Sequence, residues 1–370
     1  MKKGWEVKKV SEIARHSLGK MLDKAKNKGE AKPYLRNFNV RWFNFDLSDI
    51  LEMPFLLAEA EKYTAIKGDV LICEGGYPGR AAIWEKDEPI YFQKALHRVR
   101  FHEPGRNRWF LYYLLSKDLD GTLKNHFNGA GIQHFTGEAL ARFEVPLPPL
   151  AEQQRIVGML DEAFAGLATA KAKAEQNLQN ARALFENHLQ SVFTQRGTGW
   201  VATMIGDQLT LQRGFDITKG QQNNGVVPVV SSGGIKSYHD KAMAKGPGVV
   251  IGRKGTLGKV FYLEKDYWPH DTTLWVKDFK GNEPRFVYYL FAGLDVKQLD
   301  SGTANPALNR NLVHPIIVTW PPVAQQNAIV ETLDALHEQT QHLARLYTRK
   351  LAALEELKKS LLHKAFSGAL

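Results

Sequence analysis

The chain has 370 residues, 44% of them hydrophobic and 11% aromatic, with a formal net charge of +10. That composition excludes a disordered or fibrous protein and leaves room for two or three domains. A single cysteine, Cys73, excludes an internal disulfide, and no Cys/His spacing matches a zinc site. There is no 18-residue apolar span and no apolar run behind the N-terminal lysines, which predicts a cytoplasmic protein with no membrane association.

Residues 1–147 carry 24 Lys and Arg against 19 Asp and Glu. Short β-like runs, "GDVLICEGG" from Gly68 and "RAAIWEK" from Arg80, are broken by Gly, Pro and Asn, as in a small α+β domain. Tyr77, Arg80, Arg98, Arg100, Arg106 and Arg108 are candidates for contact with DNA. Arg98 and Arg100 fall on one face of a period-2 run, with Arg106 and Arg108 in the turn beyond it. "FNGAG" at Phe127 formally matches the opening of an adenine-methyltransferase cofactor site. The tract before it is polar and the chain has no "NPPY"-like tetrapeptide, so it reads as a turn.

From "PPLAEQQRIVGMLDEAF" at Pro148 the pattern changes. Ile156, Leu160, Ala163, Leu167, Ala170, Ala174, Ala181, Leu184, His188 and Val192 recur at three- and four-residue steps, which predicts a long helix over about 148–197. Pro149 suits its first turn, where a missing N–H costs nothing.

Residues 198–320 repeat the character of the first segment. Lys and Arg exceed Asp and Glu by 14 to 10 across 200–318, and strand-like runs return as "GVVIGRKG", "KVFYLEK" and "TTLWVKD". Gln221, Asn223, Ser231, Ser232, Tyr238, Arg253, Lys254 and Lys259 are the DNA-binding candidates here. Asn and Gln suit adenine, Arg suits guanine, and glycines let backbone N–H groups approach a phosphate. "GRKGTLGKV" is not a P-loop: five residues, not four, separate Gly252 from Gly258, and Val260 follows the lysine. A second helix is predicted over 321–370, opening with "PPVAQQNAIVETLDALH" at Pro321. Its stripe is Ile329, Leu333, Leu336, Thr340, Leu343, Tyr347, Leu354, Leu357, Leu361 and Ala365.

The two helices align at a constant offset of 173, Leu160-Asp161 with Leu333-Asp334 and Phe193 with Phe366. Upstream, "FLYYLL" at Phe110 echoes "FVYYLF" at Phe286, "VLICEGGYPGRAAI" echoes "VVIGRKGTLGKVFY", and "GWEVKKVSEI" echoes "GWVATMIGDQ", at offsets of 176, 179 and 195. The chain is an internal repeat with its extra residues in the first domain. Neither helix can bury its stripe alone, so the two are predicted to pack together as a coiled coil. No constellation suits a nucleophile, a general base or a metal.

Together, "PLPPLAEQQRIV…LD", its return as "WPPVAQQNAIV…LD", and the lead-ins "GAGIQHFTGEALARFEVPLPP" and "GTANPALNRNLVHPIIVTWPP" resemble the specificity subunit of a Type I restriction–modification enzyme across essentially the whole chain. The resemblance implies two α+β target-recognition domains related by a pseudo-two-fold repeat, with the helices paired antiparallel as a ruler between two DNA half-sites. It implies double-stranded DNA and two modification subunits as partners, with restriction/translocase subunits able to join. S-adenosylmethionine would sit on the modification subunit, ATP and Mg on the restriction subunit, and no cofactor on this chain. Glu152, Gln153, Gln154, Arg155 and Ile156, with Gln325, Gln326 and Ile329, are the candidates for seating a partner subunit or fastening the helices. A non-enzymatic coiled-coil adaptor with two basic protein- or RNA-binding domains is the alternative.

Overall fold

The computed structural model describes residues 4–23, 25, 27–194, 197–294 and 307–370. Residues 302–306 of the second lead-in therefore lie outside the described residues. The chain divides into two compact units, residues 1–173 with 350–370, and residues 174–349. Each unit combines one α+β domain with a part of both long helices, which run Leu150–Thr194 and Val323–Ser367.

The first domain opens with strand Glu6–Lys9, which pairs antiparallel with Glu144–Leu147 just ahead of the long helix. Its main sheet has the spatial order Ala14–Leu18, Leu96–Phe101, Val70–Cys73, Ala81–Ile83. A second sheet has Glu30–Leu35 between Leu51–Phe55, antiparallel to it, and Ile90–Phe92, parallel to it, with Thr64–Ala65 at the edge. The second domain repeats this plan. Val201–Met204 pairs with Ile317–Trp320, and the main sheet runs Thr210–Arg213, Thr273–Asp278, Gly248–Gly252, Val260–Leu263. Val227–Ser231 lies between antiparallel Gly234–His239 and parallel Trp268–Pro269.

The extra residues of the first domain have a definite place. Strands Glu30–Leu35 and Leu51–Phe55 are joined through residues 36–50, which fold a small hairpin from Val40–Arg41 and Asn44–Phe45. Their counterparts in the second domain are joined by Ser232-Gly233 alone.

Each domain presents one helix to the long helices: Asn107–Leu119 in the first and Pro284–Gly293 in the second. In the first unit, Trp109 meets Phe366 with ring centroids 4.7 Å apart, and Ile156, Leu160, Leu362 and Ala365 share its core. In the second unit, Phe286 meets Phe193 at 5.6 Å. Each domain thus sits on the start of the helix that follows it and on the end of the other.

Both units show the helices antiparallel. Within the first, Arg155 donates to the Leu370 carbonyl and Lys171 pairs with Glu355. Within the second, the Asn177 amide donates to the Tyr347 hydroxyl and Phe185 stacks edge-on against His337. The apolar stripe departs from the strict heptad. Leu184, Leu343 and Leu357 are exposed, while Phe185, Leu189, Leu351 and Leu362 face inward. A straight helix of 3.6 residues per turn drifts about 20° per heptad away from a 3.5-residue repeat, so the buried row slips by one position along helices this long.

Candidate nucleic-acid interface

The most closely repeated irregular feature is a loop at the tip of each main sheet. Glu74–Arg80 ("EGGYPGR") joins Val70–Cys73 to Ala81–Ile83, and Arg253–Lys259 ("RKGTLGK") joins Gly248–Gly252 to Val260–Leu263. Gly76 and Gly79 have φ of 78° and 86°, and Gly255 and Gly258 have 79° and 71°. Those are left-handed values that a glycine adopts without strain. The loops close with the same hydrogen bonds. Gly79 N donates to Cys73 O and Gly258 N to Gly252 O, each 2.9 Å. Glu74 N reaches Ala95 O, as Arg253 N reaches Thr272 O. The segment ahead of the long helix pins each loop base, Phe135 N to Glu74 O at 2.8 Å and Leu308 N to Arg253 O at 2.9 Å.

On that shared frame the side chains differ. The first loop carries Tyr77, 66% exposed, with the Arg80 guanidinium 4.2 Å from its ring centroid. Arg80 also donates to Asn37 O. The adjoining residues 36–41 add a second exposed aromatic, Phe38, flanked by the guanidiniums of Arg36 and Arg41. The second loop carries exposed Lys254 and Lys259 and half-buried Arg253. Burial and neighbouring Arg213 push the Arg253 pKa down. Ser232 lies against this loop, its N–H donating to Thr272 Oγ1 at 3.3 Å, and Ser231 Oγ closes the neighbouring turn onto Gly234 O.

Gln221 and Asn223 belong to a separate connection. The Gln221 amide oxygen accepts from Thr218, and Asn223 is held by His239 and Asp240. Tyr238 is exposed on an apolar rim with Val226 and Ile235. Asp216, His270 and Asp271 bring ligand atoms within 4.8 Å of one another, but Asp271 is already paired to Arg213 at 2.9 Å.

The arginine-rich stretch at Arg98 requires correction. Arg98 is 8% exposed and donates to the carbonyls of Glu61 and Thr64. Buried in this way, its guanidinium is not presented to a base. Arg100 is held by both oxygens of Asp69, at 2.8 and 2.7 Å, and Arg106 pairs with Glu103. Arg108 is a fastener: its Nε reaches both oxygens of Asp161, each at 2.8 Å, on the first long helix. The Tyr112 hydroxyl donates to the same carboxylate at 2.6 Å. The second unit repeats this group as Arg285, Tyr289 and Asp334. Burial works against the charge on both arginines, and the paired carboxylate overcomes it, leaving their pKa above the ordinary value.

This group also corrects the alignment. Tyr112 corresponds to Tyr289, not to Tyr288, so the offset in these helices is 177. Two adjacent tyrosines match in either register, and only the partner carboxylate tells which one faces the long helix.

The helix-start residues divide in the same way. Gln153 and Gln326 are buried, each reaching back to a proline carbonyl, Pro148 O at 2.7 Å and Pro321 O at 3.2 Å. Gln326 also bonds Glu283 N and Asn282 Oδ1. Ile156 is fully buried in the core of the first unit, and Ile329 packs partly buried in the second. Buried side chains cannot seat a partner, so Gln153, Ile156 and Gln326 fasten each helix to its own domain. Gln325 holds Trp200 Nε1 and Thr198 O. Glu152 and Arg155 pair with each other, and Gln154 is exposed.

A duplicated α+β domain, with one variable loop on a fixed frame and one fastening helix, defines a tandem recognition protein, and the comparisons agree. Residues 2–179 and 198–351 match the family described as the Type I restriction modification DNA specificity domain. The chain belongs to that family of DNA target-recognition subunits. It is 22% identical over 339 residues to the Type I restriction enzyme EcoBI specificity subunit of Escherichia coli, covering 78% of this chain and 71% of that one. Its fold matches a structure described under "complex assembly and conformational transition of the type I R-M system", with a TM-score of 0.81 at 18% identity over 100% of this chain and 99% of that chain. It also matches the HsdS subunit from Thermoanaerobacter tengcongensis, with a TM-score of 0.64 at 17% identity over 100% and 98%. Among the described residues, no helix is long and apolar enough to cross a membrane.

Proposed function

We propose that this chain reads a bipartite, asymmetric DNA site, one half with each domain, and scaffolds the subunits that act on it. The observation that carries this is the loop built twice, with the same glycine conformations and hydrogen bonds but different side chains. Tyr77 and Arg80 offer stacking and a guanidinium to one half-site. Arg253, Lys254 and Lys259 offer cations to the other, with Ser231 and Ser232 beside them. Gln221 and Asn223 are candidates for base contact outside the loop. Unequal loops on equal frames suit a site whose halves differ.

In this reading the chain performs no chemistry and acts in the cytoplasm, where the DNA is. Two modification subunits bring S-adenosylmethionine and methylate an adenine in each half-site. A restriction subunit working with ATP and Mg can join them. Exposed Gln154 and Arg155 offer polar contacts for that assembly. The helix pair sets the half-site spacing: one added heptad lengthens a helix by about 10 Å, close to three base pairs.

The test is the modified-adenine map of cells carrying the complex. Exchanging residues 1–147 for another such domain changes one half of the methylated motif and leaves the other. A change in both halves together would overturn the reading. An unchanged spacer after adding one heptad to each helix would remove the ruler.

A further inference from the structure

The second unit holds an open groove of about 990 Å³ whose counterpart in the first unit is filled by the chain itself. In the first unit, the hairpin within residues 36–50 carries Phe43 at its turn. Phe43 packs on Tyr112 and Phe164, with centroids 4.9 and 6.2 Å away. Its N–H donates to Ala81 O on the edge strand of the main sheet. Trp42 packs against the same core, and Phe45 stacks on Trp84 at 5.3 Å. Phe43 has φ of 65°, a left-handed conformation that costs a non-glycine residue of order 1 kcal/mol. The contacts it makes offset that cost.

The second unit keeps the walls, and among its described residues there is no plug. Tyr289 stands for Tyr112, His337 for Phe164, and edge strand Val260–Leu263 for Ala81–Ile83. All three line the groove, together with Phe261, Tyr262 and Tyr288. Among the described residues no hairpin reaches them, and the joining turn is Ser232-Gly233. Val226, 88% exposed, and exposed Ile235 form an apolar rim. Glu264 and Asp266 flank Lys265 on the other rim, in the same "EKD" order as Glu85, Lys86 and Asp87. In the first unit Glu85 receives an arginine, Arg108, at 3.3 Å. Arg285, the counterpart of Arg108, is held by Asp334.

The geometry points to a docking site in this groove for a segment of the modification subunit that carries an aromatic side chain and a cation, the two groups that Phe43 and Arg108 supply in the first unit, on Tyr112 and on Glu85. The aromatic fills the space between Tyr289, His337 and Phe261, the segment lies along the edge of Val260–Leu263, and its cation meets the Glu264 and Asp266 rim. The inference rests on the reading that this chain scaffolds modification subunits.

The full chain is compared with the variant Val226→Asp/Ile235→Lys, changed only at exposed rim positions. Both are titrated with purified modification subunit and, separately, with a labelled synthetic peptide of residues 39–46 and its Phe43→Ala form. The expected result is that the variant keeps its thermal transition and its DNA binding. It loses at least tenfold in affinity for the modification subunit and for the peptide, and the Phe43→Ala peptide binds neither protein. Equal affinity of variant and parent for the modification subunit overturns the docking site and leaves the scaffold reading intact. Failure of the parent chain to bind the modification subunit overturns the scaffold reading and the occupant with it. A parent chain that self-associates, with the variant monomeric, assigns the groove to a second copy and overturns the proposed occupant.

Discussion

In the first unit, the chain between strands Glu30–Leu35 and Leu51–Phe55 of the second sheet detours through residues 36–50 and covers the edge of the main sheet. In the second unit, the same two strands meet at Ser232-Gly233 and the corresponding edge lines a groove. The tip loops diverge as well. Glu74 and Arg80 leave the first near neutral, while Arg253, Lys254 and Lys259 make the second strongly basic. Where the domains meet the long helices, by contrast, the units agree residue for residue: Arg108 with Arg285, Tyr112 with Tyr289, Asp161 with Asp334, Gln153 with Gln326. The frame is fixed by what must attach, and the variation collects where a ligand can reach.

The comparison can be strained hardest at the aromatic joints. Trp109→Ala removes a fully buried ring that meets Trp5 and Phe366, and should cost the first unit about 3–5 kcal/mol. Phe286→Ala should cost the second a similar amount. Hydrogen exchange read by mass spectrometry checks this: each substitution should lower protection chiefly in its own unit. A uniform loss across both would mean that they do not behave as separate cooperative bodies.

Acid should separate the two units next. His97 is buried against Phe135 O, and burial holds its pKa down to about 4 from 6.5. The folded state therefore prefers the neutral ring, and the unfolded chain binds the proton first as pH falls. The first unit keeps this contribution above pH 6.5 and loses up to about 3 kcal/mol as pH drops towards 4. Leu274 occupies the corresponding strand position in the second unit. Stability measured against pH should show this acid slope in the parent and a flatter profile in His97→Leu.

A smaller effect is expected from the carboxylates that hold the recognition domains. Asp161→Ala and Asp334→Ala each free an arginine and a tyrosine, but these sites are over a third exposed and solvent screens them. About 1 kcal/mol should be lost in each case. Unequal losses in chemical denaturation would show that the two fastenings are not equivalent. The smallest change lies in the salt dependence of DNA binding. Lys254→Ala should lower the slope of log affinity against log salt by about 0.9, and Arg80→Ala by less, because Arg80 is stacked on Tyr77 and bonded to Asn37. Equal slopes would erase the electrostatic difference between the loops.

The duplication, the helices and their starts are legible in the sequence because they are written in periodic apolar residues and paired prolines. The matching tip loops are legible too, since "CEGGYPGRAAI" and "GRKGTLGKVFY" align without a gap. Less legible is what happens to a charge. Arg98 and Arg108 look like surface cations in a basic run, yet their partners lie 34 to 53 residues away, on Glu61, Thr64 and Asp161. No local pattern announces such a contact. Leu184 and Leu357 fail for a different reason: a small error in period, carried along a long helix, becomes a whole residue. Phe43 is hidden among Phe38, Trp42 and Phe45 in one short stretch, where nothing local signals which ring turns inward.

The repeated arginine, tyrosine and carboxylate group has a consequence for domain exchange. Because the carboxylate stands on the helix and the other two on the domain, the joint works like a threaded fitting with a common gauge. A foreign domain that matched that gauge, with an aromatic at the position of Trp109 or Phe286 and a seat for Gln153 or Gln326, should fit the same helices. Exchanging a whole domain would then change the loop it carries and leave the joint as it is.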